Sequence, residues 1–269
     1  MAFEEKMSRK NIDYQYVQNI THPDLQIYHE LRESAFRDDG SFIADSPKVV
    51  NLILESGLEI KSILATEEYY EEFGSLVALR EGVKCYVASK EEMSKIVGHK
   101  IHHNAMLHGI RPRGATLDSL NDGVLLLDGI TSAENVGSIV RSCAAFGVDS
   151  LVIANETPHP FNRRALRVSM GYAHRIRTYV HRDIKKSIVA FRERGYRVYA
   201  AEVSPDATML SSLKSTQKWV LIMGHEGRGI STDILELCDE VVSIEMQEGV
   251  KSLNVGVAAA LLMYAFINK

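Results

Sequence analysis

The chain has little of what marks several large protein classes. Its three cysteines, Cys85, Cys143 and Cys238, are widely spaced and form no CxxC pair. That spacing disfavours a disulfide framework and the common zinc modules, and leaves reduced, packed thiols as the expectation. Long apolar runs are missing too. The longest, Val255 to Ile267, falls short of the ~20 residues needed to span a bilayer and reads as a buried helix. Met1 to Lys10 is polar and charged, so it reads as neither a secretory signal nor a membrane anchor, and a cytoplasmic protein is expected. There is also no general excess of positive charge, the net value being -4. Over the whole chain that argues against a nucleic-acid binder, but the acidic excess is concentrated in residues 1 to 118. Between Asn162 and Lys186 lie Arg163, Arg164, Arg167, Arg175, Arg177, Arg182, Lys185 and Lys186, opposed within that stretch only by Asp183. Such a cluster is the footprint of a phosphate-contacting face, though a solvated surface would carry the same composition.

What is present is enough apolar material for a full core: 269 residues, 45% hydrophobic, suit one large domain or two smaller ones. Leu25 to Phe36 and Val49 to Leu54 have helical spacing, and Ile60 to Ala65 reads as a strand. Helical stretches at Tyr69 to Phe73 and Ser75 to Leu79 precede a strand at Lys84 to Ala88. Ser89 then caps a helix over Lys90 to Val97. This alternation predicts a small α/β domain over residues 1–112, followed by a linker over 113–120 around Arg111-Pro-Arg-Gly114. Beyond it, strands are predicted at Val124 to Leu127, Leu151 to Ile153, Ile176 to Tyr179, Val198 to Ala201, Trp219 to Met223 and Val241 to Ile244. Asn135 to Phe146, Ile184 to Arg194, Asp233 to Leu237 and Leu253 to Phe266 fit between or after them as helices. Residues 121–269 are therefore expected to form a second α/β domain with a mostly parallel sheet covered on both faces.

Three segments of this second region carry the candidate chemistry. In Asn135-Val-Gly137-Ser-Ile-Val-Arg141, Asn135 can cap a helix whose buried stripe is Val136, Ile139, Val140 and Cys143. Arg141 lies off that stripe and shares a face with Gly137, where a missing side chain leaves room for a ligand. In Gly224-His-Glu226-Gly-Arg-Gly229, glycines follow an apolar strand at the spacing G-x-x-G-x-G, which is not the dinucleotide fingerprint. They let backbone approach a ligand closely, with the Glu226 carboxylate at the tip. Third, Ile244 ends a strand and Ser252-Leu253-Asn254 opens the last helix, whose free amides suit an anion. Each segment also has a plain reading, as a helix surface, a turn and a cap.

Together, in this order and spacing, the three segments resemble the motifs of the SpoU (TrmH-type) branch of the SPOUT RNA methyltransferases. The resemblance covers roughly Asn121 to Lys269. It implies a C-terminal trefoil knot, S-adenosylmethionine as methyl donor, a tRNA or rRNA substrate methylated on a ribose 2'-hydroxyl, and a homodimer formed on the final helix. It assigns Gly224, Ile244 and Leu253 to the cofactor, and Asn135, Arg141, Glu226, Ser252 and Asn254 to the catalytic site. The basic run then becomes an RNA contact through Arg163, Arg164 and Arg167, with no metal required. The first domain resembles, more weakly, the small substrate-binding domain that precedes the catalytic domain in many SpoU enzymes, with Ala44-Asp45-Ser46 where that family commonly has Glu-Gly. A SPOUT enzyme acting on a base, or a catalytically silent RNA-binding factor, is the alternative. His99, His102, His103 and His108 lack a carboxylate or Cys partner at zinc-like spacing, so that segment reads as helix-to-loop with solvent-facing imidazoles. His225 is a weaker candidate general base.

Overall fold

The computed structural model describes residues 12–29 and 39–268. The reading of Met1 to Lys10 and the second half of the helix expected over Leu25 to Phe36 lie outside them. The chain divides into two compact units, residues 1–113 with 161–174, and residues 114–160 with 175–269.

The first unit is built on β1 (Tyr14–Tyr16), β2 (Ser41–Asp45), β3 (Glu59–Ala65), β4 (Lys84–Val87) and β5 (Ala105–Ile110), in the order β1-β4-β3-β5-β2. β1, β4 and β3 run parallel, while β5 is antiparallel to both β3 and β2. Its helices are α1 (Gln26–His29), α2 (Pro47–Glu55), α3 (Glu67–Val77) and α4 (Lys90–Val97). Ser89 caps α4 through a reciprocal pair with Glu92, and Gly98 closes it in the left-handed conformation, as the capping-box chemistry requires. α3 runs unbroken through Gly74, which is buried in it, so the helix is not split there as the spacing suggested. The larger departure concerns the histidine-rich segment. Ala105 to Ile110 is a strand rather than helix-to-loop, and His108 reaches Ser41 Oγ across the β5–β2 pair at 2.9 Å.

α5 (Ala133–Phe146) belongs to the second unit, and the next helix, α6 (Arg163–Val168), belongs to the first. Asn162 caps α6, and the half-buried Arg163 meets the buried Asp45, with Nε and Nη2 at 2.9 and 2.7 Å from Oδ2. Phe161 packs on Phe42 with ring centroids 4.9 Å apart. The basic run is thus more fully paired with acids than its sequence suggested. Besides Arg163, Arg177 pairs with Asp149 and Lys185 with Asp233, all acids remote in sequence.

The second unit carries seven parallel strands in the order β10-β12-β9-β11-β6-β7-β8. They are β6 (Gly123–Leu127), β7 (Ser150–Ala154), β8 (Arg177–His181), β9 (Arg197–Ala201), β10 (Thr208–Met209), β11 (Trp219–Met223) and β12 (Glu240–Ser243). Alternate residues serve opposite faces. Val124, Leu126, Val198, Val220 and Ile222 pack with Ile188 and Phe191 of α7 (Ile184–Glu193) and Ile234 of α8 (Thr232–Leu235). On another layer α5 meets α9 (Val255–Asn268), where Cys143 Sγ lies 3.6 Å from Met263 Sδ. Burial there pushes the Cys143 thiol up to about 12, which leaves it an inert apolar contact. Residues 114–120 are not a free linker: Ala115 N donates to Thr178 O, and Ala115 and Leu117 pack on this core. No helix among the described residues is long and apolar enough to cross a membrane.

Candidate active site

In a parallel sheet every strand delivers its following loop to the same edge, so ligand sites gather outside the carboxyl ends. Here the loops after β9, β11 and β12 enclose a cavity of about 430 Å³, whose lining includes Glu202, Gly224, Glu226, Ile244, Ser252 and Leu253. The three residues assigned to the cofactor from sequence, Gly224, Ile244 and Leu253, therefore face one space.

The glycine loop is shaped by close backbone packing. A Cβ at Gly224 would lie 2.6 Å from Ile230 Cγ1, 2.7 Å from Gly229 C and 2.9 Å from Ile230 N, so the loop can fold back on itself only without a side chain there. Gly229 has φ +65°, the left-handed region that favours glycine. Glu202, which sequence reasoning missed, pins the same turn: Oε2 accepts from Ile230 N at 2.9 Å and Oε1 from Val203 N at 3.1 Å. His225 is also committed to the loop. Its Nδ1 accepts from Gly227 N at 2.9 Å and Arg228 N at 3.3 Å, which weakens the general-base reading of that nitrogen.

Beside the cavity the three sequence motifs are joined by side chains. Asn135 Nδ2 donates to Glu226 Oε1 at 2.8 Å, and Asn254 Nδ2 donates to Asn135 Oδ1 at 3.1 Å. Asn254 Oδ1 in turn accepts from Gly256 N at 2.9 Å at the start of α9. An amide can donate and accept at once, so Asn135 is the hinge of this chain of bonds. It does not cap α5: that helix begins at Ala133, and Ser132 Oγ accepts from Asn135 N instead. Likewise α9 begins at Val255 and its cap is Asn254, not Ser252, which stays exposed on the cavity wall.

Arg141 is exposed two turns along α5 and makes no hydrogen bond or ion pair among the described residues. Glu226, expected to orient Arg141 or the substrate, is held by Asn135. Two further groups belong to the same carboxyl edge. Asp128 follows β6 and His181 ends β8; burial pushes the Asp128 carboxyl up and the His181 imidazole down. Neither stood out in the sequence, where a lone Asp after a strand is an ordinary turn residue. The RNA-contact candidates Arg163, Arg164 and Arg167 lie on α6 in the first unit, and Arg163 is committed to Asp45.

Comparison with known proteins identifies the family. A model of the SpoU rRNA Methylase family matches residues 122–264. The chain is 29% identical to an uncharacterized tRNA/rRNA methyltransferase of Mycobacterium bovis, over 92% of this chain and 91% of that one. It is 27% identical to the 23S rRNA (guanosine(2553)-2'-O)-methyltransferase RlmP of Bacillus subtilis, covering 83% and 87% of the two. In fold it is similar to an AdoMet-bound rRNA methyltransferase of Sinorhizobium meliloti, with TM-score 0.78, 20% identity and coverage of 94% and 97%. The SpoU methyltransferase AviRb of Streptomyces viridochromogenes, in complex with AdoMet, superposes with TM-score 0.74 at 21% identity over 92% and 97%. The family match spans more than half of the chain and contains every residue of the joined motifs, so the chain belongs to the SpoU rRNA Methylase family.

Proposed function

We propose that this protein transfers the methyl group of S-adenosylmethionine to a ribose 2'-hydroxyl of a structured RNA, a tRNA or an rRNA, in the cytoplasm. The observation that carries the reading is the Glu226–Asn135–Asn254 chain of hydrogen bonds, which ties the three motifs together at the rim of the glycine-lined cavity. The cavity suits a flat, polar ligand. Its volume of about 430 Å³ falls in the range of small-molecule sites, and the Gly224 cradle is one that a Cβ would fill. Gly224, Ile244 and Leu253 would hold the donor, whose sulfonium supplies an already electrophilic methyl group.

The protein's own residues then have to place the hydroxyl and manage its proton. In-line placement is worth up to ~7–11 kcal/mol in favourable intramolecular cases. As the C–O bond forms and the C–S bond breaks, the 2'-oxygen loses its proton. A guanidinium is effectively always protonated, so Arg141 serves as a clamp on the neighbouring phosphate and a stabiliser of the developing alkoxide. The proton leaves through phosphate, water or a neighbouring side chain. Asn135 holds Glu226 in place, while Ser252 and Asn254 present polar groups at the start of α9. Arg164 and Arg167 supply RNA contacts from the first unit, which acts as the substrate-binding domain. The trefoil knot implied by the resemblance is part of this reading. The test is transfer of labelled methyl to RNA, with the product mapped to ribose or base. A base product would assign the protein to the alternative enzyme class, and binding without transfer would make it a silent RNA-binding factor.

The reading includes a two-fold homodimer. α9 buries Val255, Ala259, Leu262, Met263 and Phe266 but leaves Val257, Leu261, Tyr264 and Ile267 exposed on its other side, an apolar stripe that a self-complementary contact would cover. Leu261→Glu with Tyr264→Glu is expected to convert a dimer to a monomer in light scattering at micromolar concentration. A wild-type protein that is monomeric there refutes the interface.

A further inference from the structure

Within the first unit, the histidine-rich turn before β5 and helix α6 enclose a second cavity of about 200 Å³. Its lining brings together two features that sequence reading kept apart: His99, Lys100, His102 and His103 on one side, and Arg163 and Arg167 on the other. Asp45 contributes the floor. The residue is only 4% exposed, and both of its close partners, Arg163 Nε and Nη2, are taken by Oδ2. Oδ1 is buried and accepts no hydrogen bond from the described residues.

A buried carboxylate oxygen without a donor costs free energy that a well-packed structure normally avoids. A ligand that met this oxygen from the cavity would be a hydrogen-bond donor of limited size. At about 200 Å³ the cavity lies below the ~300 Å³ at which sites for drug-sized molecules begin. A single planar ring system fits better than a whole coenzyme. The rim selects the rest of the ligand: imidazole rings and the Arg167 guanidinium offer stacking faces, and Lys100 and Arg167 offer positive charge to a phosphodiester. Single-stranded RNA is recognised in this manner, by unstacked bases held against histidine or arginine planes and bonded along their edges.

Resting on the assignment of the protein as an RNA methylase, we infer that this cavity is a reading pocket for one extruded, amino-bearing base of the substrate RNA, with Asp45 Oδ1 accepting from the exocyclic amine. Arg163 is a positioning residue: by occupying Oδ2 it leaves Oδ1 as the acceptor for the base. Adenine, cytosine and guanine each present an amino group. Uracil does not, and its one N–H stands between two carbonyl oxygens that would face the carboxylate. The pocket therefore discriminates against uracil without fixing which of the other three bases is taken.

The test uses the full-length protein without methyl donor and three fluorescein-labelled pentaribonucleotides: pentacytidylate, its N4,N4-dimethylated analogue, and pentauridylate. Pentacytidylate is expected to bind about tenfold or more tighter than either of the others, the scale of one hydrogen bond to a charged acceptor. In Asp45→Asn the Arg163 guanidinium keeps the amide oxygen and turns the amide N–H groups toward the cavity, so the preference should invert toward uridylate. Arg167→Ala should weaken all three probes and flatten the salt dependence by about one phosphate contact. Equal binding of pentacytidylate and its dimethyl analogue, no binding of pentacytidylate at millimolar concentration, or retention of the cytidine preference by Asp45→Asn overturns the pocket. The first two comparisons stand on the wild-type protein even where Asp45→Asn fails to fold. A protein that methylates RNA but shows equal binding loses only the pocket, whereas one that reads the base without transferring methyl loses only the catalytic assignment.

Discussion

Arg141→Ala is expected to lower single-turnover methyl transfer by about a hundred- to a thousandfold at saturating cofactor, the scale found when one transition-state donor is removed. The residue is exposed and unpaired among the described groups, so its loss breaks no packing and no ion pair, and the melting temperature should stay close to wild type. It also stands outside the residues that line the glycine-lined cavity. An interaction made chiefly with the reacting phosphate and alkoxide appears in the rate rather than in the affinity for the donor. Calorimetry with S-adenosylmethionine should therefore give nearly unchanged binding for the variant. Arg141→Lys should also be poor, since an ammonium keeps the charge but loses the planar fork that engages a phosphate at two points. Near-normal transfer by the alanine variant would remove Arg141 from the catalytic site.

The second unit was the more legible of the two, for a physical reason. Strands of a parallel sheet are buried on both faces, so they appear as continuous apolar runs such as Trp219 to Met223, whose observed limits match the expected ones. β5 was hidden because its run begins at Ala105, directly after His102, His103 and Asn104, and carries His108 in mid-strand. Its polar neighbour on β2, Ser41, is what makes a strand histidine acceptable there. Caps were ambiguous for a different reason. Ser132 and Asn135 are both capping types and three residues apart, and spacing alone does not choose between them. What frees Asn135 from that duty is its bond to Glu226, 91 residues away. The commitment of Arg163 to Asp45, 118 residues away, is equally invisible to local pattern. It gives an expected RNA contact a structural ion pair as well. The three motifs were legible as motifs; that one asparagine joins them was not.

The glycine loop gives the other large effect, and a matched control. Gly224→Ala places a Cβ 2.7 Å from Gly229 C and 2.9 Å from Ile230 N. The Ile230 side chain, also 2.6 Å away, could turn aside, but the backbone has no such freedom. Ile230 N is held by Glu202, and Gly229 N donates to His225 O at 2.9 Å. The loop must therefore open, at a cost of about 1–3 kcal/mol for overpacking of this kind. Where that cost falls on the cofactor-binding conformation, S-adenosylmethionine affinity drops by roughly ten- to a hundredfold. Gly227→Ala, three residues on, meets only His225 Cε1 and Nδ1 at 3.7 and 3.8 Å, ordinary contact distances, and should bind cofactor as the wild type does. Both variants and the wild type are to be titrated by calorimetry after metal stripping, since none of the proposed cofactor contacts calls for an ion. Equal affinity of Gly224→Ala and wild type would show that the loop is not the cofactor cradle, whatever becomes of Arg141. A parallel loss in Gly227→Ala would assign the effect to general loop stiffness rather than to the packing at Gly224.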